Sequence, residues 1–176
     1  MKRFACVLLT AAICLSGCGG GSSGGPGPAP VKPEATGSGS AATEAETGVS
    51  PVVSTDILNR EPISNTSQVK HILISWKDLE SSFGGHIDER AAKRTKADAE
   101  ALVKQLVQQL KSGADFDALM KTNSEDGGSA ASGHVFTVTP DAQLVIEFRQ
   151  LSLRLNVGEV GVVQSDYGFH IIKRFG

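Results

Sequence analysis

Four histidines, His71, His86, His134 and His170, together with Asp126, are available as metal ligands or proton carriers. No pair of them has the short spacing of a metal-ligand motif, so a site would depend wholly on the fold, and neither metal nor other cofactor is expected. Thiol chemistry is closed to the C-terminal part. The three cysteines are Cys6, Cys14 and Cys18, all near the N-terminus, which excludes disulfide support and a cysteine nucleophile downstream. Taken singly, the remaining candidates are bland. His71 stands in a run of branched residues, where a histidine is ordinarily structural. Asp126 precedes Gly127-Gly128, as a turn residue does. Leu144 and Phe148 are four apart, as core residues of one helical stripe are. Only their joint pattern carries a meaning beyond structure.

The elements that must position these residues lie between Val69 and Gly176. Val69 to Trp76 has branched residues on both alternating faces, the pattern of a central strand covered on each side. A polar loop through Gly84-Gly85 follows. Thr95 and Asp98 form a capping-box start, and Ala99, Leu102, Val103, Leu106 and Leu110 recur at helical spacing until Lys111-Ser112-Gly113 ends the helix. Asp115 to Lys121 reads as a short helix with Phe116, Leu119 and Met120 inward. Asn123 to Gly133 reads as a small-residue loop, and Val135 to Val138 as a short strand. Thr139 before Pro140 has the form of an N-cap and first helical residue, opening a helix with Leu144, Phe148, Leu151 and Leu155 in one stripe, up to Gly158. Val160 to Ser165 and Phe169 to Phe175 form a hairpin around Asp166-Tyr167-Gly168. The order β-α-α-β-α-β-β predicts an α+β domain, helices around a mostly antiparallel sheet.

Five segments then coincide in order: Val69-Lys70-His71-Ile72-Leu73-Ile74, Leu110-Lys111-Ser112-Gly113-Ala114-Asp115-Phe116, Asn123-Ser124-Glu125-Asp126-Gly127-Gly128-Ser129-Ala130, Val157-Gly158-Glu159-Val160-Gly161, and Ser165-Asp166-Tyr167-Gly168-Phe169-His170-Ile171-Ile172. Together they resemble the parvulin family of peptidyl-prolyl cis-trans isomerases over nearly all of residues 69–176. The resemblance implies a four-stranded antiparallel sheet surrounded by helices, with a shallow cleft for an X-Pro segment. It places His71 and His170 as paired histidines in neighbouring central strands and Asp126 beside the proline amide. Leu144 and Phe148 would hold the proline ring, and Ser165 and Tyr167 would complete the polar positions of the cleft. The implied activity is phosphate-independent isomerisation of X-Pro bonds, with the histidines ordering a hydrogen-bond network rather than acting as acid and base.

The chain departs from the family pattern at Gly133-His134-Val135-Phe136, about two residues shorter than the usual Gly-x-Leu-Gly-x-Phe segment. That shortening keeps a second reading open, a parvulin-shaped chaperone or peptide-binding adaptor with little turnover. Trp76 to Glu89 contains only Lys77 as a firm cation, which argues against selection of phosphorylated sites. Arg90, Lys93, Arg94 and Lys96 read as a solvated helix start, not as a phosphate-binding patch.

Residues 1–17 read as a secretory signal: Lys2 and Arg3 precede an apolar run from Phe4 to Leu15 that is too short for a permanent membrane helix. Leu15-Ser16-Gly17-Cys18 resembles the bacterial lipobox, with Cys18 as the lipidated residue. Residues 18–55 are rich in Gly, Ser, Ala and Thr with scattered Pro, and cannot repay their ordering entropy. As a coil, a tether of about 40 residues reaches roughly 35 Å root-mean-square. Residues 56–68 are either more linker or a packed lead-in, and 69–176 form the domain. The formal charge is −2, and losing Lys2 and Arg3 leaves 15 basic against 19 acidic residues, −4; nothing points to nucleic acid. The expected protein is a monomeric, lipid-anchored factor of the bacterial envelope, on the periplasmic side of the outer membrane if the cell has two membranes. Its expected partners are unfolded or newly exported polypeptides containing X-Pro.

Overall fold

A computed structural model describes residues 48–176. The signal segment, Cys18 and nearly all of the expected linker lie outside the described residues. Among the described residues no helix is long and apolar enough to cross a membrane.

Four strands, β1 (Ser67–Ile74), β2 (Phe136–Val138), β3 (Val160–Ser165) and β4 (Gly168–Arg174), form one antiparallel sheet in the order β2-β1-β4-β3. Because successive strand residues face opposite sides, the two central strands divide cleanly. Ile72 and Ile74 of β1 join Phe169 and Ile171 of β4 on one face, in a core with Val103, Leu106, Phe116 and Met120. Val69 and Ile172 on the other face pack with Phe148, Leu151 and Leu155. His71 and His170 fall on this second face by the same alternation. The first face is covered by α3 (Lys96–Lys111) and α4 (Phe116–Asn123), the second by α6 (Ile146–Ser152). Gly161 permits the close approach on the α6 side: a Cβ there would stand 3.1 Å from both Leu151 and Leu155.

Local chemistry accounts for most boundaries. The expected capping box of α3 is formed, with Asp98 N–H donating to Thr95 Oγ1 at 3.2 Å and Thr95 N–H to Asp98 Oδ2 at 3.0 Å. Asp115 caps α4 through Ala118 N–H, 2.8 Å from its Oδ1. The β3–β4 turn is two residues, with Ser165 paired to Gly168; Gly168 is at φ +131° and a Cβ there would meet Ile74 O at 2.5 Å, so the hairpin tip packs on the end of β1 as only glycine allows.

Three expectations change. Asn123–Gly133 is not all loop: Gly127–Ser132 forms α5, with Asp126 as its N-cap, a helix too short and too poor in apolar residues to show a period. Thr139-Pro140 does not open a helix. Ala142 N–H returns to Thr139 O and Leu144 N–H to Ala142 O, so residues 139–145 form turns and α6 starts only at Ile146. The polar loop after β1 contains a 3-10 helix at Lys77–Phe83 and α2 at Glu89–Ala92. In addition, packing starts well before Val69. Ser50 and Ile57 are buried, α1 spans Thr55–Leu58, and Ser54 N–H donates to Val162 O while Ser54 Oγ accepts from Val162 N–H. The edge strand β3 is thereby covered where its backbone would otherwise be open to other strands.

Candidate active site

Register brings the histidines together. His71 lies opposite Ile172 and His170 opposite Leu73, so the two histidines are diagonal neighbours on one face, within reach of each other's rings. Their Nδ1 atoms are 3.1 Å apart. His71 Nε2 is 3.0 Å from Asp126 Oδ2, His170 Nε2 is 2.7 Å from Ser165 Oγ, and Tyr167 N–H donates to Ser165 Oγ at 3.1 Å. At the other end Ser129 donates to Asp126 through Oγ–H at 2.5 Å and through N–H at 3.2 Å.

This is one continuous chain, and its proton positions follow from what each group can do. A carboxylate only accepts, so His71 Nε2 carries a hydrogen and its Nδ1, in the neutral ring, accepts. His170 therefore donates from Nδ1–H and accepts at Nε2 from the Ser165 hydroxyl, which in turn accepts from Tyr167 N–H. Electrostatics agree with a neutral His170. Burial, with a smaller contribution from the charge His71 carries when protonated, lowers its pKa to about 3. The hydrogen bond from His71, backed by the two from Ser129, holds Asp126 well below the usual carboxylate range against the opposing effect of burial.

Above this chain is a cleft of about 240 Å³. His71, His170 and Asp126 form its polar side, and Phe136, Leu144, Val145 and Phe148 its apolar side, with Gln143 at the rim. Phe148 meets His71 and His170 edge-on at centroid distances of 5.2 and 5.6 Å, and Phe136 meets His71 at 5.2 Å, so the aromatic walls also fix the imidazole planes. The structure thus gathers His71, Asp126, His170, Leu144 and Phe148 at one place, with Ser165 beneath. Tyr167 is not brought to the lining. Its ring packs edge-on to Phe83 at 5.5 Å, and it joins the site through its backbone N–H alone. Phe136 closes the short Gly133–Phe136 segment but is not among the expected site residues, and neither are Gln143 and Val145. Phe136 carries a signal, as the aromatic of a three-residue strand, whereas Gln143 and Val145 carry none. Among the described residues no cluster of three His, Cys, Asp or Glu could hold a metal ion.

Asp126 reaches His71 because its own segment continues the sheet edge. β2 pairs with β1 only through Val69. Beyond it, Glu125 N–H donates to Leu73 O at 2.9 Å and Leu73 N–H to Ser124 Oγ at 3.0 Å, which lays residues 124–126 alongside β1.

An apolar slot closed on one side by a fixed row of donors and acceptors can bind a proline ring and hold polar groups against the preceding amide. Comparison with known proteins agrees. The chain is 30% identical over 129 residues to the foldase protein PrsA of Geobacillus kaustophilus, covering 73% of this chain and 44% of that protein. It is 37% identical over 109 residues to the chaperone SurA of Pseudomonas aeruginosa, covering 61% of this chain and 23% of that one. It spans less than half the length of either. Among solved structures, the fold matches TbPIN1 with a TM-score of 0.55 at 24% identity, over 65% of this chain and all of that one. It matches the peptidyl-prolyl isomerase ESS1 of Candida albicans with a TM-score of 0.54 at 22% identity, over 72% and 67% of the two chains. The family model for the PPIC-type PPIase domain matches residues 55–175, and the chain belongs to that family.

Proposed function

We propose that this protein is a peptidyl-prolyl cis-trans isomerase that acts on X-Pro bonds of exported polypeptides and is tethered to a bacterial envelope membrane through Cys18. The observation that carries the reading is the unbroken chain from Asp126 through His71 and His170 to Ser165, facing Leu144 and Phe148 across one cleft. Isomerisation breaks no bond. It requires only that a rotational barrier of about 18–20 kcal/mol be lowered, and an uncatalysed X-Pro bond takes on the order of tens to hundreds of seconds to turn. The apolar wall favours the proline ring and disfavours the charge-separated planar amide, while oriented groups at His71, His170 and Asp126 favour the twisted one. The histidines hold this arrangement; no proton need leave the chain.

Phosphate independence rests on the fate of the nearby cations. Arg90 is engaged by Asp88 and by the carbonyls of Thr122 and Ser124, and Arg94 by Glu125, so both already have partners within the fold. The foldase and chaperone names of the relatives support a role in folding, and the lipobox at Cys18 supports the membrane location. The short Gly133–Phe136 segment favours the alternative of a binding module with little turnover, but Phe136 still reaches the cleft wall. Turnover of an unphosphorylated X-Pro peptide tests the reading; binding without turnover would favour the alternative.

A further inference from the structure

Arg94 and Glu125 form a nearly buried ion pair behind the cleft, Nη1 to Oε1 at 2.7 Å, with the Glu125 side chain only 2% exposed. Such a pair gains little over apolar residues of the same shape, because both charges leave water. Its hydrogen bonds point to another role. Ser75, fully buried just past β1, donates its N–H to Glu125 Oε2 at 2.6 Å and its Oγ–H to Tyr167 O at 2.6 Å, and its carbonyl accepts from Arg94 Nη1 at 2.9 Å. Glu125 precedes Asp126, one end of the polar chain. Tyr167 supplies the N–H to Ser165, the other end.

We infer that Glu125, clamped by Arg94 and joined through Ser75 to the hairpin tip, is a positioning residue that fixes the two ends of the histidine chain relative to each other. None of the three touches the cleft. Without Glu125 the Asp126 segment keeps its bonds to Leu73 but loses its tie to Ser75 and, through it, to the hairpin. The His71 Nε2–H to Asp126 bond then lengthens, and the single tautomer of the chain gives way to a mixture. The catalytic consequence rests on the isomerase reading; the tautomer consequence does not.

The test compares wild type, Glu125→Ala, Glu125→Gln and Leu106→Ala, the last a core substitution on α3 remote from the cleft. The ring 15N signals of His71 and His170, kcat and KM for an X-Pro peptide, and the thermal midpoint are measured at a temperature where all are folded. Glu125→Ala is expected to shift the His71 and His170 ring signals and lower kcat by up to about a hundredfold, the scale of a misplacement of about 1 Å, with KM nearly unchanged. Glu125→Gln, which keeps an acceptor for Ser75 N–H and the side-chain volume, falls between, and carries the comparison if Glu125→Ala does not fold. Leu106→Ala lowers the midpoint but moves neither ring signals nor kcat. If the Glu125 variants lose only thermal stability, with wild-type ring signals and kcat, the inference is overturned. Ring signals that respond to Glu125 in a wild-type protein without turnover would uphold the positioning role and remove the isomerase reading.

Discussion

The Nδ1 atoms of His71 and His170 face each other at 3.1 Å, so one of them must carry the hydrogen and the other must not. Asp126 decides which: its carboxylate demands the hydrogen on His71 Nε2, leaving Nδ1–H to His170. Long-range 15N–1H spectra near neutral pH are predicted to show His71 as the Nε2–H tautomer and His170 as the Nδ1–H tautomer. Asp126→Ala should release this preference. Wild-type spectra with His170 protonated at Nε2 would mean that the chain runs the other way.

Leu144 and Phe148 line the same cleft but differ in what else they support. Leu144 lies on the loop before α6 and is half-buried, whereas Phe148 is 3% exposed and belongs to the core under α6. Leu144→Ala is predicted to raise KM for an X-Pro peptide by on the order of tenfold, the value of lost apolar contact in a binding pocket, with a small change in thermal midpoint. Phe148→Ala should cost about 3–5 kcal/mol of stability, so the milder Phe148→Leu is the informative change for binding. Peptide titration and thermal melts of the same samples separate the two effects.

How stability depends on pH follows from the two shifted groups. His170 has its folded pKa lowered from 6.5 to about 3, so below pH 6.5 the unfolded chain takes up a proton that the folded protein refuses. Stability therefore falls as pH drops from 6.5 towards 3. Asp126, lowered from 3.8, adds stability that is present above pH 3.8 and is lost as the carboxylate is protonated below it. Urea midpoints between pH 7 and 4 are predicted to fall steadily in wild type and more gently in His170→Gln. Equal slopes in both would mean that His170 is not the group responsible.

Much of this arrangement is legible from local signals. The alternation that sends Ile72 and Ile74 to one face puts His71 on the other, and the Thr95–Asp98 capping box marks α3 outright. What escapes is long-range. Arg90 and Arg94 look like a solvated run because their partners at 122–125 lie some thirty positions away, although they clamp the segment that carries Asp126. Thr139-Pro140 has the composition of a helix start, yet the chain turns there and wraps the cleft before α6 begins. Tyr167 sits at the right position in the segment, but at a two-residue hairpin tip its ring turns to Phe83 and only its backbone serves the site.

The cleft is lined by no cysteine, so the anchor proposed at Cys18 and the site are chemically separate. Cys18→Ala is predicted to move the protein from the membrane fraction to the soluble fraction while leaving its turnover of an X-Pro peptide unchanged. Fractionation of cells followed by the peptide assay checks both halves, and retention at the membrane would show that something other than Cys18 holds it there.

Rotation about the bond before proline is the activity proposed for this cleft. A protease-coupled assay on an unphosphorylated Ala-Pro peptide measures it directly. The first-order rate is expected to rise above the uncatalysed rate in proportion to protein concentration and to drop strongly in Asp126→Ala. A rate equal to the uncatalysed one, at protein concentrations where the peptide is shown to bind, would contradict it.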